Sequence, residues 1–403
     1  FYMVHKKIKF KMYKRILLLI TMFFFSCDSK EKSTLIVVSF DGFRYDYTDY
    51  VDTPNFDFIA KNGVKAKSLK PVFPSLTFPN HYSIATGCYA DKHKIIGNQF
   101  YDVKKDAFYS YKDSKTVQDG SWYGAEPIWV TANKNNKKSA TYFWIGSEAE
   151  IDGIRPDIYK NFKPMVNPIE KVDEVITWID NPINGRPDLV MLYFDEPDHS
   201  GHVYGSLSKE VLTQVEQMDA TLGYLLDSLK KIKIDFNMII VSDHGMVDVS
   251  DKKIINIHDY IQEDAFEVYG RGPFVSLKKI KKNAEVNDKI LNATVYKKED
   301  IPDRFHFVNE NTLDYLVLAN NGYMINPNKE NLKKLPVVGM HGYDPDIIDM
   351  HGIFYAYGSQ FKENFKMDSF ELINVYPLMC KLLNIPEYKD IDGSIDTFKS
   401  IFK

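Results

Sequence analysis

Four apolar runs of strand length stand out along the chain: "TLIVVSF" at 34–40, "SATYFWI" at 139–145, "DLVMLYF" at 188–194 and "FNMIIVS" at 236–242. None alternates with polar residues, so each predicts a strand covered on both faces rather than one with a wet side. Between the last two, Val211, Leu212, Val215, Met218, Leu222, Leu225, Leu226 and Leu229 recur at intervals of three and four, which draws one apolar stripe on a long helix. Strand, helix and strand in that order make a βαβ unit. The expectation is an α/β fold with a largely parallel central sheet, helices on both faces. Further on, "GIFYAYG" (352–358) predicts a returning strand and "SFELINVYPLMCKLL" (369–383) a closing helix. From about 249 to 335 the pattern loosens and lysines crowd into "LKKIKKNAEVNDK", which predicts a small inserted subdomain with a solvated basic face.

The first 26 residues read differently. A basic stretch, "KKIKFKMYKR", precedes the apolar run from Ile16 to Phe25, which is too short to span a bilayer and suits a signal-peptide core. Cys27 follows, in a setting that resembles a bacterial lipoprotein signal, where the cysteine is acylated. The expected organisation is a signal peptide at 1–26, a tether at 27–33 and a catalytic domain at 34–403. The protein would be exported to the periplasm or cell surface and anchored in the membrane through Cys27. Without residues 1–26 the chain has 45 basic against 55 acidic residues, a formal charge of −10. A body this acidic argues against a nucleic-acid partner. Cys88 and Cys380 lie far apart in sequence and are expected to be buried free thiols.

Ligands of a parallel sheet gather at the carboxyl ends of its strands, and three of the apolar runs lead directly into acids there. "IVVSFDG" delivers Asp41, "VMLYFDEPDHSGH" delivers Asp195 and Asp198, and "MIIVSDHG" delivers Asp243 beside His244. Three carboxylates at one edge repel one another unless cations lie between them, so the pattern points to metal. Carboxylate and imidazole donors without thiolates suit zinc, manganese or iron better than magnesium or calcium. Asp198 and His202 are four residues apart, and "GMHGYD" and "DMHGIF" add His341 and His351. Thr77, in "FPSLTFPNHYS", stands between Pro74 and Pro79 ahead of a helix. A threonine hydroxyl there is either an N-cap or a nucleophile, and the second role needs an activator.

Taken in order, "SFDGFRYDY", "PVFPSLTFPNHYSIATG", "HKIIGNQFYD", "EPIWVTAN", "YFDEPDHSGHVYG", "SDHGM" and "HGYD" resemble the nucleotide pyrophosphatase/phosphodiesterase family of the alkaline phosphatase superfamily, over about residues 35–383. The resemblance implies an alkaline phosphatase-like fold and two zinc ions, one held by Asp41, Asp243 and His244, the other by Asp198, His202 and His341. Thr77 would be the nucleophile, with its oxygen on the first zinc, and a covalent phosphothreonine intermediate would be hydrolysed by water activated on the second. Asn98 and the backbone N–H of Phe78 would stabilise charge on phosphorus. Phe78, Tyr159 and Tyr193 would sandwich a nucleobase. His351, His81 and His199 would hydrogen-bond near the site without coordinating, and His93, His258 and His306 carry no motif. The implied substrates are nucleotide phosphodiesters or pyrophosphates, with a nucleoside monophosphate released. Relatives acting on lysophospholipid or choline phosphodiesters are one alternative; a membrane-tethered binding protein without turnover is another. A sulfatase would need a C/S-x-P-x-R motif, which is absent.

Overall fold

The computed structural model describes residues 33–180, 185–262, 264–330 and 337–403. The expected signal segment and Cys27 lie outside them. An eight-stranded sheet organises the body. At its centre Thr34–Phe40 runs parallel to Leu189–Phe194 on one side and to Phe236–Val241 on the other. Ser139–Tyr142 and then Ile158–Lys160 extend the parallel set beyond Leu189–Phe194. On the opposite side Phe354–Gly358, the returning strand, pairs antiparallel with Phe236–Val241, and Val64–Ala66 and Phe365–Met367 complete that edge.

The uninterrupted apolar runs follow from cover on both faces. Successive side chains alternate across a strand. Val37, Met191 and Ile239, side by side in register, pack into one core with Ile84, Tyr376 and Leu378. Ile36, Val38, Val190, Leu192, Met238 and Ile240 pack into another, with Val175, Val215, Leu222 and Leu226. The second layer rests on the long helix Lys209–Lys231, which begins at a capping Ser208 that accepts from Val211 N–H. Its buried positions include seven of the eight residues in the apolar stripe; Leu212 is only half-buried.

Two expected elements end or begin elsewhere. The run 139–145 stops being a strand at Tyr142, because Phe143 adopts φ +49° and turns the chain out of the sheet. The closing helix starts only at Val375, since Phe370–Glu371 is drawn into pairing with Leu69–Lys70 and a short 3-10 turn follows. Pro377 then falls in the first helical turn, where a missing N–H leaves no acceptor unsatisfied. Cys88 and Cys380 are both buried and unpaired.

Between Phe266 and Ala319 the chain builds a separate four-stranded antiparallel sheet. Val317 faces a local core with Val275 and Leu277, whereas Leu316 and Leu318 face the main core with Phe305 and Phe307. This sheet is therefore seated on the body through its own alternation.

The helix Pro54–Asn62 has no side-chain cap of its own. Asp219, buried on the long helix, supplies one from a distance, accepting from the N–H groups of Asn55 and Phe56 at 3.0 and 2.9 Å. Asp219→Ala leaves those donors without a partner and is expected to lower stability by about 1–3 kcal/mol, read as a shifted urea midpoint with an unaltered slope.

Candidate active site

The turn that follows the central strand brings the first two acids together. Gly42 sits at φ +65°, and a Cβ there would lie 2.8 Å from Cβ of Asp198. The bare backbone lets Asp198 N–H reach Asp41 O at 3.0 Å, while Gly42 N–H reaches Asp243 Oδ1 at 3.2 Å. Asp41, Asp198 and Asp243 thus meet at the carboxyl edge of the sheet.

Their free oxygens behave as a ligand set. Oδ1 of Asp41, Oδ1 of Asp198 and Oδ2 of Asp243 are buried without a hydrogen-bond partner. Each nevertheless lies close to a histidine Nε2: Asp41 Oδ1 is 3.4 Å from His244, Asp243 Oδ2 is 3.1 Å from His244, and Asp198 Oδ1 is 3.5 Å from His341. His202 Nε2 is 3.4 Å from the other oxygen of Asp198. Buried polar atoms in a folded chain are normally paired, so orphaned carboxylate oxygens converging on imidazole nitrogens fit shared cations. Asp198, His202 and His341 form one compact group; Asp41, Asp198 and His244 form a second; and Asp41, His81 and Asp243 a third.

Backbone carbonyls set the histidines up as donors to metal. Nδ1 of His202, His244 and His341 lies 2.9, 3.0 and 2.9 Å from the oxygens of Gly339, Gly245 and Ser75, so each ring places its proton there and leaves Nε2 as a lone pair. The rings of His244 and His341 stack at 3.5 Å. Burial and the neighbouring His244 push His341 down to about 3, which keeps it neutral. His81 differs. Its Nδ1 contacts Thr77 O at 3.0 Å and its Nε2 contacts Ser39 Oγ at 2.8 Å, so both nitrogens are taken, and it steadies Asp243 Oδ2 from 3.2 Å. His351 is likewise spent, between Ser68 Oγ and Pro345 O. His199 is exposed and lines the cleft.

The carboxylates divide electrostatically. Burial, then the charges of Asp243 and Asp198, push Asp41 well above the usual carboxylate range. Burial acts in the same direction on Asp198 and Asp243, but the imidazoles of His202, His341 and His244 around the first, and of His244 and His81 around the second, hold both below it. The site concentrates negative charge of the kind a bound cation offsets.

Thr77 is the first residue of the helix Thr77–Thr86 and does not cap it; the N-cap is Leu76. Its Oγ1 lies 3.3 Å from His244 Nε2, at the mouth of the same cleft. Asn98 stands beside it, but the pairing differs from the expected two donors. Phe78 N–H donates to Asn98 Oδ1 at 3.0 Å, so the backbone N–H orients the amide and leaves the Asn98 NH2 as the donor toward a ligand.

A cleft of 510 Å³ opens over this centre. Phe78 and Tyr111, with ring centroids 5.8 Å apart, contribute to its lining, as do Phe143 and Phe162, 4.9 Å apart. One of the expected aromatic positions needs correction, and another makes a contact the sequence did not foretell. Tyr159 lies within the strand Ile158–Lys160, opposite Thr141, and is not part of the cleft; Phe162, on the loop beyond the carboxyl end of that strand, is. Tyr193 does reach the cleft, but its hydroxyl donates to Asp41 Oδ2 at 2.6 Å, so it orients a carboxylate. Phe162 was legible from the carboxyl-end rule applied to the strand before it. Glu148, which accepts from Phe162 N–H at 2.8 Å, had no sequence signal.

Because the Tyr193 hydroxyl orients Asp41, Tyr193→Phe is expected to weaken metal retention about 10–100-fold, as loss of a partner that orients a ligand commonly does. Competition with a graded chelator measures this, and unchanged retention would show that Asp41 needs no such support.

Over residues 35–344 the chain matches the family described as type I phosphodiesterase / nucleotide pyrophosphatase. It is 36% identical over 373 residues to venom phosphodiesterase 2 of Crotalus adamanteus, a match spanning 88% of this chain and 46% of that protein. Against ectonucleotide pyrophosphatase/phosphodiesterase family member 5 of Homo sapiens it is 35% identical over 365 residues, 88% of this chain and 75% of that one. The chain spans about half the length of the venom relatives it matches. A solved structure of murine ectonucleotide pyrophosphatase/phosphodiesterase 5, an inactive threonine-to-alanine variant in complex with AMP, is similar at a TM-score of 0.86 and 31% identity, over 92% of this chain and 100% of that one. Matched over most of its length in sequence and in fold, the chain belongs to the type I phosphodiesterase / nucleotide pyrophosphatase family.

Proposed function

We propose that the protein is a two-zinc phosphodiesterase that hydrolyses nucleotide phosphodiester or pyrophosphate bonds and releases a nucleoside monophosphate. The observation that carries this reading is the meeting, in one cleft, of the Thr77 hydroxyl, the Asn98 amide, unpaired carboxylate oxygens and an aromatic slot. The donor set of carboxylates and Nε2 lone pairs, without thiolate, suits zinc. Asp41, Asp243 and His244 would hold one ion, beside Thr77, and Asp198, His202 and His341 the other. When bound, such ions lower the pKa of the attacking hydroxyl and neutralise charge on the entering and leaving oxygens.

The chain's own groups do the rest. Thr77 Oγ1 attacks phosphorus as the bond to the leaving oxygen breaks, giving a covalent phosphothreonine, and water then attacks the same phosphorus to free Thr77. The first position of a helix holds that oxygen in a fixed direction. The Asn98 NH2, oriented through Phe78 N–H, supplies a neutral donor for charge growing on a non-bridging oxygen. Phe78 and Phe162 offer ring faces to a planar base, and the AMP bound by the murine relative supports a nucleotide over a choline or lipid headgroup.

Thr77→Ala is expected to lower kcat about 10³-fold or more on a nitrophenyl ester of a nucleoside monophosphate, with Thr77→Ser retaining part of the rate. Acid quenching of wild type during turnover should trap the nucleoside monophosphoryl group on Thr77, detected by peptide mass spectrometry; full activity in Thr77→Ala would remove the nucleophile from the scheme. Prolonged dialysis against a chelator should abolish turnover and added zinc should restore it. Zinc-independent hydrolysis, or faster turnover of a choline phosphodiester, would overturn the metal or the substrate assignment respectively.

A further inference from the structure

A second cleft, of 420 Å³, adjoins the metal-ligand group from another side. It shares Asn98, Tyr111, His199, His202 and His341 with the first, so the two are continuous around the same centre. The division between them is informative. Asp41, Thr77 and Phe78 line only the first cleft, whereas His202 and His341 also line the second. In an in-line displacement the leaving oxygen departs opposite the attacking one, so a nucleophile facing the first cleft sends its leaving group past those two histidines.

The second cleft has the charge an anion needs. Its lining contains no aspartate or glutamate among the described residues, although the first cleft carries Asp41, Glu148, Asp195 and Asp198. Arg271 lies on this acid-free wall, exposed, and its guanidinium has no hydrogen bond or ion pair to any described residue. Its backbone is held firmly all the same. Arg271 ends the strand Phe266–Arg271, opposite Phe274 across the Gly272-Pro273 turn. Gly272 N–H donates to Ile325 O at 3.0 Å and Ile325 N–H returns a bond to Gly272 O at 2.7 Å. The tip also packs by the Gly342 turn, which Leu76 approaches as well: a Cβ on Gly342 would sit 3.1 Å from Cγ of Pro273 and 2.8 Å from Cδ2 of Leu76. An unpaired guanidinium on a pinned hairpin is suited to bidentate capture of phosphate oxygens.

We propose that this second cleft is the leaving-group site, and that Arg271 binds a phosphate of an anionic leaving group there. The inference rests on the phosphodiesterase reading above and narrows it: bonds whose leaving group is itself a phosphate, as in nucleoside triphosphates and dinucleoside polyphosphates, are favoured over esters whose leaving group carries no phosphate.

The test compares wild type with Arg271→Gln, a substitution at an exposed side chain. In wild type, kcat/KM is measured for a nucleoside triphosphate, for a dinucleoside polyphosphate and for the nitrophenyl ester of the same nucleoside monophosphate. Arg271→Gln is expected to lower the triphosphate-to-ester ratio about tenfold, the size of one charge-assisted contact. Equal losses on the two phosphate-bearing substrates point to capture of the first phosphate beyond the cleaved bond; a loss confined to the triphosphate points to its terminal phosphate, and either supports the site. Calorimetric titration of both proteins, metals as isolated, with inorganic pyrophosphate gives an independent reading, with affinity falling about tenfold in Arg271→Gln and more steeply at low salt. A ratio and a pyrophosphate affinity both within twofold of wild type overturn the proposal. So does a wild-type preference for lysophospholipid that Arg271→Gln leaves alone, since Val203, Met324 and Met340 would then make the cleft an apolar one. If wild type hydrolyses none of the substrates, the phosphodiesterase reading fails, and the pyrophosphate titration still decides whether Arg271 forms an anion site.

Discussion

Three carboxylates buried within reach of one another at the edge of a sheet are costly to assemble, and much of this structure is arranged to make that assembly tolerable. Burial, and then the like charges of Asp243 and Asp198, push Asp41 above the usual carboxylate range. The imidazoles of His202, His244 and His341, with their Nδ1 protons held by backbone carbonyls, aim lone pairs at the same space. What remains unpaired is a set of oxygen and nitrogen donors of the kind divalent cations satisfy.

The sheet supplies rigidity for this charge cluster. Asp41 and Asp243 follow adjacent parallel strands, Thr34–Phe40 and Phe236–Val241, whose residues are buried on both faces. Asp198 comes from the helix Asp198–Tyr204 just beyond a third strand, Leu189–Phe194. His341 comes from far along the chain, in a turn that closes against Ser75 two residues before Thr77. Two hydrogen bonds tie that turn to the approach to Thr77, His341 Nδ1 to Ser75 O at 2.9 Å and Ser75 Oγ to Tyr343 O at 2.7 Å. Support continues outward: Tyr193 orients Asp41, His81 steadies Asp243, and Phe78 N–H turns Asn98.

The inserted antiparallel sheet joins in through its hairpin tip. Backbone bonds between Gly272 and Ile325 pin that tip, and its Pro273 packs by the Gly342 turn next to His341. The insertion thus forms one wall of the second cleft and holds part of the ligand turn in place. The lysine-rich stretch within it, which dominates its sequence, lies elsewhere and lines neither cleft.

Local chemistry made much of this legible. Continuous apolar runs identified the central strands because burial on both faces removes any need for polar alternation, and acids at their ends marked the functional edge because a parallel sheet exposes its strand termini there. The strand direction of Phe354–Gly358, the short closing helix and the role of Phe143 depended on neighbours far away in sequence, and no local pattern reports those. The same holds at the site. Residue type nominated the carboxylates and histidines at the strand ends, since a metal site needs such atoms, and the family resemblance nominated Thr77 and Asn98. Whether an aromatic ring lines a wall, as Phe162 does, stays in a strand, as Tyr159 does, or lines the wall while its hydroxyl holds a carboxylate, as Tyr193 does, was decided only when distant segments packed. A ring is apolar surface to the sequence, and its partner is chosen by the fold.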